Sequence, residues 1–220
     1  MSPEHPLSRG RRIVLWRHGR TSWNVEARFQ GQLDPPLDEV GIEQARRSSQ
    51  VLAALRPAIL VTSDLQRATQ TAAALSAATG LEAKAFAELR EIGLGTWEGL
   101  TRSEVAERFA DEYAAWQAGD DVRRGHGETY AEVGERCSGV LRQVLDQLPA
   151  DGVLVAVVHG GTARSAIGSM LELEPRDWWR LAPLGNCRWS VLIEGARGWR
   201  LEEHNAGQLP VADEGRGDDR

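Results

Sequence analysis

Ile13-Val14-Leu15-Trp16-Arg17-His18-Gly19-Arg20-Thr21-Ser22-Trp23-Asn24 is the stretch on which the reading of the fold turns. Four apolar residues in a row, followed at once by a charge and then a glycine, read as a short strand buried on both faces. Strands of that kind belong to sheets covered by helices, and in open α/β sheets ligands bind beyond the carboxyl ends of the strands. Arg17 and His18 stand at that end. Arginine offers a permanently charged fork suited to phosphate or carboxylate, and histidine a ring nitrogen able to act as nucleophile, base or ligand. Gly19 permits a tight backbone path, while Thr21 and Asn24 add a hydroxyl and an amide for anion oxygens. Taken alone, an Arg-His pair after a strand is equally an ordinary loop, so the remainder of the chain decides.

The chain has 220 residues, 41% of them hydrophobic, enough for one sizeable α/β domain with a substantial core. A formal net charge of −6 argues against a general nucleic-acid binder but not against a local basic pocket. No apolar run is long enough to span a bilayer, and the opening Met1-Ser2-Pro3-Glu4-His5-Pro6 lacks a signal-peptide core, which predicts a cytoplasmic protein without a membrane partner. Two cysteines, Cys137 and Cys187, make no disulfide framework and are expected to be reduced and structural. Metal binding is disfavoured, because the chain has no cysteine cluster and no closely spaced histidine pair. Most of the eight tryptophans are expected to pack.

Residues 1–12 read as a loose lead-in, 13–205 as a single domain, and 206–220, rich in Gly and Asp, as a disordered tail. The loop 28–36 carries Gly31 and two prolines. Asp38 caps an expected helix with Ile42, Ala45, Leu52 and Leu55 on its apolar face. A second buried strand, Ala58–Thr62, leads into an alanine-rich helix that stops at Gly80. Leu81–Phe86 is an expected edge strand, and 88–99 is too glycine-punctuated for regular helix. Helices are predicted from Thr101 and after Gly125-His126-Gly127-Glu128, the latter with Val133, Val140, Leu141, Val144 and Leu148 inward. Val153–Val158 is the strongest strand, followed by a helix over Thr162–Leu171. Two closing strands, Cys187–Ile193 and Trp199–Glu203, complete the pattern. The alternation predicts a three-layer α/β/α sandwich around a mostly parallel sheet.

Three buried strands thus end in polar residues just before a helix, bringing Arg17, His18, Arg67 and His159 to one crevice. Two arginines and two histidines beside helix N-termini suit a doubly charged anion, and a phosphoryl group fits best. At this point Arg17-His18-Gly19-Arg20-Thr21 resembles the signature of the histidine phosphatase superfamily, also called phosphoglycerate-mutase-like. The resemblance continues through Ser63-Asp64-Leu65-Gln66-Arg67-Ala68, Leu89-Arg90-Glu91, Gly95-Thr96-Trp97-Glu98-Gly99 and His159-Gly160-Gly161, in the family order. It implies that His18 is the nucleophile and that Arg17, Arg67 and His159 clamp the phosphoryl oxygens. It also implies that Glu91 protonates the leaving oxygen and then activates water. The resemblance further implies that Asn24, Thr21, Gln30, Gly31 and Gly160 help to bind the phosphate. No cofactor is implied; the partner is a small phosphomonoester, and a homodimer is consistent with the family. Physically, a nucleophilic histidine must be neutral at its attacking nitrogen, with the other nitrogen donating to a carbonyl or carboxylate. Glu91 must be protonated as the alcohol departs, which calls for a pocket favouring the neutral acid.

Glu98, Trp97 and Gly99 either shape the site or form an exposed turn. Glu128 is a plausible support, Arg164 is expected to pair with a carboxylate, and His126 reads as a surface residue. The region after Glu91 lacks the insertion typical of phosphoglycerate mutases, so hydrolysis is favoured over the mutase alternative. A phospho-ligand binding module without turnover is the rival from another class. Trp178-Trp179, Leu184-Gly185-Asn186-Cys187-Arg188-Trp189-Ser190 and Trp199-Arg200-Leu201 are similar to stretches of the actinobacterial glucosyl-3-phosphoglycerate phosphatases. These stretches are rich in packing residues, so they do not fix the substrate, and Trp178, Trp179 and Trp189 read first as core or interface residues.

Overall fold

The apolar run Ile13–Trp16 forms the centre of β1 (Arg12–Arg17) in a computed structural model that describes residues 10–207. In chain order the other elements are α1 (Ser22–Val25), α2 (Glu39–Ala53), β2 (Ile59–Ser63), α3 (Gln66–Thr79) and β3 (Ala83–Phe86). Then come α4 (Arg102–Arg108), α5 (Ala110–Gln117), α6 (Tyr130–Leu145), β4 (Val153–Val158), α7 (Gly160–Met170), β5 (Trp189–Gly195) and β6 (Gly198–Ala206). The strands make a six-stranded sheet ordered β3-β2-β4-β1-β5-β6. The first four run parallel, and β5 and β6 close it as an antiparallel hairpin.

Successive side chains of a strand face opposite ways, and the core divides accordingly. Ile13 and Leu15 pack with Leu141, Val144, Ala163 and Ile167 of α6 and α7. Val14 and Trp16 face the other layer, with Ala45 and Leu52 of α2 and Ala68, Ala72 and Leu75 of α3. The α/β/α sandwich is therefore three-layered as expected. Each fully buried large apolar side chain contributes about 1.5–3 kcal/mol, so a strand clothed on both faces is the natural anchor of the sheet.

Several boundaries differ from the sequence reading. Arg11 is held by a two-pronged ion pair to Glu194, so ordered chain begins before Ile13; the rest of the expected lead-in, 1–9, lies outside the described residues. At the other end β6 continues through Ala206, and 208–220 lie outside. The helix capped by Asp38 exists, its carboxylate accepting from Gly41 N at 2.7 Å. Ile42 and Leu55 are exposed, however, and the buried face is Gly41, Ala45, Ser48, Ser49 and Leu52. Small residues face inward there because the helix start lies against the loop after β1. A Cβ on Gly19 would collide with Gly41 O, and one on Gly41 with the Arg20 backbone. Leu148 is buried as expected but lies beyond the end of α6. Cys187 precedes β5, in a left-handed conformation (φ 54°) rather than in the strand.

Because β4 lies between β1 and β2, the carboxyl ends of these three strands adjoin. That edge carries the candidate site.

Candidate active site

His18 continues the sheet by one residue. Its N–H donates to Val158 O (3.0 Å), and its carbonyl accepts from Cys187 N (3.2 Å) and Asn186 Nδ2 (3.2 Å). Its Nδ1 lies 2.7 Å from Gly19 O. A carbonyl only accepts, so Nδ1 carries the proton and Nε2 presents a lone pair. Burial, then the charges of Arg67 and Arg17, push the His18 pKa well below its ordinary value and keep the ring neutral.

Arg67 lies in the first turn of α3, whose start is pinned by Gln66 N donating to Asp34 Oδ1 at 2.7 Å. Its guanidinium is fully buried and gives hydrogen bonds to Leu33 O (2.7 Å), Gly31 O (2.8 Å) and His159 Nδ1 (3.2 Å). It makes no ion pair among the described residues, and burial lowers its pKa to about 10, which leaves it cationic at neutral pH. Arginine can only donate, so His159 accepts at Nδ1 and carries its proton on Nε2. That Nε2 is buried without a partner among the described residues. Burial again heads the causes that push the His159 pKa well down. The two imidazoles lie 5.1 Å apart, centroid to centroid. Arg17, also buried, donates to Leu184 O.

α7 starts at Gly160, two residues earlier than expected, with His159 as its N-cap. The shift has a purpose in the geometry. It leaves the first amides of the helix free for Glu91, whose carboxylate accepts from Gly161 N (3.1 Å), Thr162 N (2.9 Å), Thr162 Oγ1 (3.2 Å) and its neighbour Ile92 N (2.9 Å). Donors thus surround this carboxylate.

The loop that bears Glu91 is fixed from behind. Arg136 forks onto Glu128 (2.8 and 2.9 Å) and donates to the carbonyls of Glu88, Arg90 and Glu91. Glu128 also accepts from Gly93 N at 2.7 Å. Burial would raise the Glu128 pKa, but the Arg136 and Gly93 hydrogen bonds outweigh it and the net shift is downward. Glu98 likewise belongs to the scaffold, accepting from Gln32 N and Leu94 N at 3.0 Å each. Gly31 (φ 50°) rests on that carboxylate, and any Cβ there would strike it.

The other expected residues divide. Asn24, Gln30, Gly31 and Gly160 line the cleft, and Gln30 Oε1 is buried without a partner. Asn24 Oδ1 is engaged by Thr21 N, Thr21 Oγ1 and Asn186 Nδ2 at 3.0–3.2 Å. Thr21 is fully buried, does not line the cleft, and caps α1 reciprocally with Asn24. Arg164 meets a carbonyl, Leu181 O (3.1 Å), instead of a carboxylate. His126 is exposed. His204 bridges Ser190 Oγ and Ala182 O. His5 lies outside the described residues. Trp178 and Trp189 are core, Trp179 is exposed, and both cysteines are buried.

The cleft measures about 710 Å³ including the solvent at its mouth. Its wall holds six arginines (17, 28, 67, 102, 124 and 164) and a single carboxylate, Glu91, on a chain that is acidic overall. Arg102, Tyr130, Arg136 and Asn186 escape the sequence reading as individual residues. Each reaches the site through long-range packing and leaves no local pattern.

A stability prediction arises from the two neutral histidines. In the unfolded chain they titrate near 6.5, while the fold refuses their protons. Stability is therefore unaffected well above that pH and falls as pH drops below it. Denaturant midpoints measured at pH 7.5 and 5.5 should show a smaller acid loss in His159→Gln than in the parent; equal losses would refute the assignment.

The sequence pattern of the histidine phosphatase superfamily (branch 1) matches residues 13–207, and the chain belongs to that superfamily. It is 34% identical over 214 residues to the glucosyl-3-phosphoglycerate phosphatase of Mycobacterium tuberculosis, covering 90% of this chain and 96% of the relative. It is also 34% identical over 157 residues to the metal-independent phosphoserine phosphatase of Arabidopsis thaliana, covering 70% and 66% of the two chains. The solved structure of a mycobacterial glucosyl-3-phosphoglycerate phosphatase in complex with VO3 superposes with a TM-score of 0.86 at 34% identity, over 90% of this chain and all of that one.

Proposed function

We propose that this chain is a metal-independent phosphomonoesterase that acts through a phosphohistidine on a small phosphorylated metabolite. One observation carries the reading: a neutral His18 with its Nε2 lone pair free, set beside a buried Arg67 that has no counter-ion among the described residues. His18 Nε2 attacks phosphorus and the ester P–O bond breaks, with Glu91 giving its proton to the departing alkoxide oxygen. Water then attacks the phosphohistidine, Glu91 takes the proton, and the P–N bond breaks to release phosphate. Arg17, Arg67 and the His159 Nε2–H hold the equatorial oxygens, where phosphoryl transfer develops charge. Asn24, Gln30, Gly31 and Gly160 complete the phosphate cradle, with Thr21 acting through Asn24. The proton that Glu91 gives to the leaving oxygen enters with the monoanionic phosphate of the substrate.

The reading extends to glucosyl-3-phosphoglycerate, or another sugar or glycerate phosphate, as substrate. The similarity to the mycobacterial enzyme supports it, as does a cleft wall that extends beyond His18, Arg17 and Arg67 to Phe29, Trp116 and Arg164. A cytoplasmic location accords with two buried cysteine thiols; among the described residues no helix is long and apolar enough to cross a membrane. A homodimer is the assembly the family resemblance implies, and light scattering tests it.

The test is phosphate release from glucosyl-3-phosphoglycerate, 3-phosphoglycerate, phosphoserine and sugar phosphates in excess EDTA, beside a coupled mutase assay. Release with full activity in chelator is expected. Interconversion of phosphoglycerates without release would make the protein a mutase, and silence in both would leave a binding module.

A further inference from the structure

Arg124 stands apart from the arginines of the phosphate clamp. It is 3% exposed, lines the cleft, and has neither Nε nor Nη2 bonded to any group of the described residues. Its guanidinium lies over the rings of Tyr130 (4.5 Å) and Trp116 (5.6 Å). Arg164 lies over the same Tyr130 at 5.8 Å, so one phenol ring carries two cations. The carboxylate of Glu112, which borders this segment, is occupied elsewhere, accepting from Gly125 N (2.6 Å) and Trp97 Nε1 (3.2 Å). Burial alone would raise the Tyr130 pKa, yet the charges of Arg124 and Arg164 bring it down, as expected where positive potential is uncompensated. Aromatic faces orient a guanidinium but do not replace the hydrogen bonds its N–H groups lose on burial.

An arginine buried with unmet donors is an unfavourable state unless a partner arrives. The phosphoryl oxygens already have Arg17, Arg67 and His159. We infer that Arg124, flanked by Arg164, forms a second anion subsite in the same cleft, which selects phosphomonoesters whose alcohol portion itself carries an acidic group. Arg124 is thereby a specificity-determining residue, and the inference rests on the phosphatase reading above. The rest of the wall fits the assignment. Phe29, Ile92 and Leu94 line the same cleft and supply apolar surface for the carbon skeleton of such an ester. A carboxylate or a second phosphate both satisfy this chemistry.

Two matched pairs distinguish them: 3-phosphoglycerate against glycerol 3-phosphate, and fructose 1,6-bisphosphate against fructose 6-phosphate. In the parent enzyme kcat/KM should favour the acid-bearing member of at least one pair by tenfold or more. In Arg124→Met, which keeps the volume and removes the unmet donors, that ratio should fall by about 10- to 100-fold. The pair that loses its ratio names the anion. Ratios near one in the parent, or ratios unchanged in the variant, would overturn the subsite while leaving the phosphatase reading intact. If no ester is hydrolysed, the phosphatase reading fails, and calorimetric affinities of 3-phosphoglycerate and glycerol 3-phosphate carry the same comparison. Equal affinities in the parent, or an unaltered ratio in Arg124→Met, would then refute the subsite. Should Arg124→Met not fold, Arg164→Met takes its place with the same expected direction.

Discussion

His18→Ala is expected to lower ester hydrolysis by at least about 10⁴-fold, the scale seen when a nucleophile is removed from a catalytic group. Binding of inorganic phosphate should survive, because Arg17 and Arg67 keep their carbonyl partners without the imidazole. The side chain ends a strand and its hydrogen bond closes only onto the next residue, so the variant should stay folded, with a thermal midpoint near that of the parent. Incubation with labelled substrate and acid-sensitive detection of phosphohistidine gives the direct readout. The parent should become labelled and the variant should not. A labelled variant, or one retaining a tenth of the turnover in folded form, would remove His18 from the nucleophile role.

The second large effect concerns Glu91→Gln, and it depends on the leaving group. In a first turnover, release of a simple alcohol should slow by about 10²–10⁴-fold, the usual weight of a general acid. Release of p-nitrophenolate, which departs without a proton, should slow by less than about tenfold. Phosphohistidine should then accumulate on the nitrophenyl ester, because the water that hydrolyses it has lost its base. The amide oxygen can keep the bonds from Ile92 N, Thr162 N and the Thr162 hydroxyl, and only the Gly161 N–H meets an amide nitrogen instead. The variant thus separates chemistry from structure. Equal slowing of both esters in the first turnover would exclude Glu91 as the acid.

The residues that end β1, β2 and β4 are legible because buried parallel strands announce themselves as apolar runs, and the residues just beyond such a run lie at the sheet edge. His18, Arg67 and His159 are found that way. The helical layer is less legible where packing departs from the apolar rule. On α2 a periodic reading selects Ile42 and Leu55, whereas the buried face is built of glycine, alanine and serine, because a backbone has to come close. The hydroxyl of Thr21 points a sequence reading to the phosphate, yet that hydroxyl caps a helix. Arg124, Tyr130 and Arg136 are out of reach for a different reason. Arginine is ordinarily a surface residue, and only the tertiary arrangement around Gly125 (φ 56°) turns one inward. Glu91 is identifiable from its motif, but its surroundings are not, since the amides that hold it belong to a helix starting 69 residues later in the chain, at Gly160.

The position of β1 has a consequence for the life history of the molecule. Its two neighbours in the sheet, β4 and β5, lie about 140 and 180 residues further along the chain. A ribosome therefore delivers the His18 imidazole first and its surroundings last. Until the segment around Asn186 and Cys187 has emerged, nothing closes over the carbonyl of His18, and until α7 exists Glu91 has no amides to hold it. Chains that end before α7 are thus expected to be inactive, which a release assay on a chain truncated after Val158 would check. The same long-range pairing predicts slow folding for a protein of this size, with activity appearing only as the closing hairpin docks.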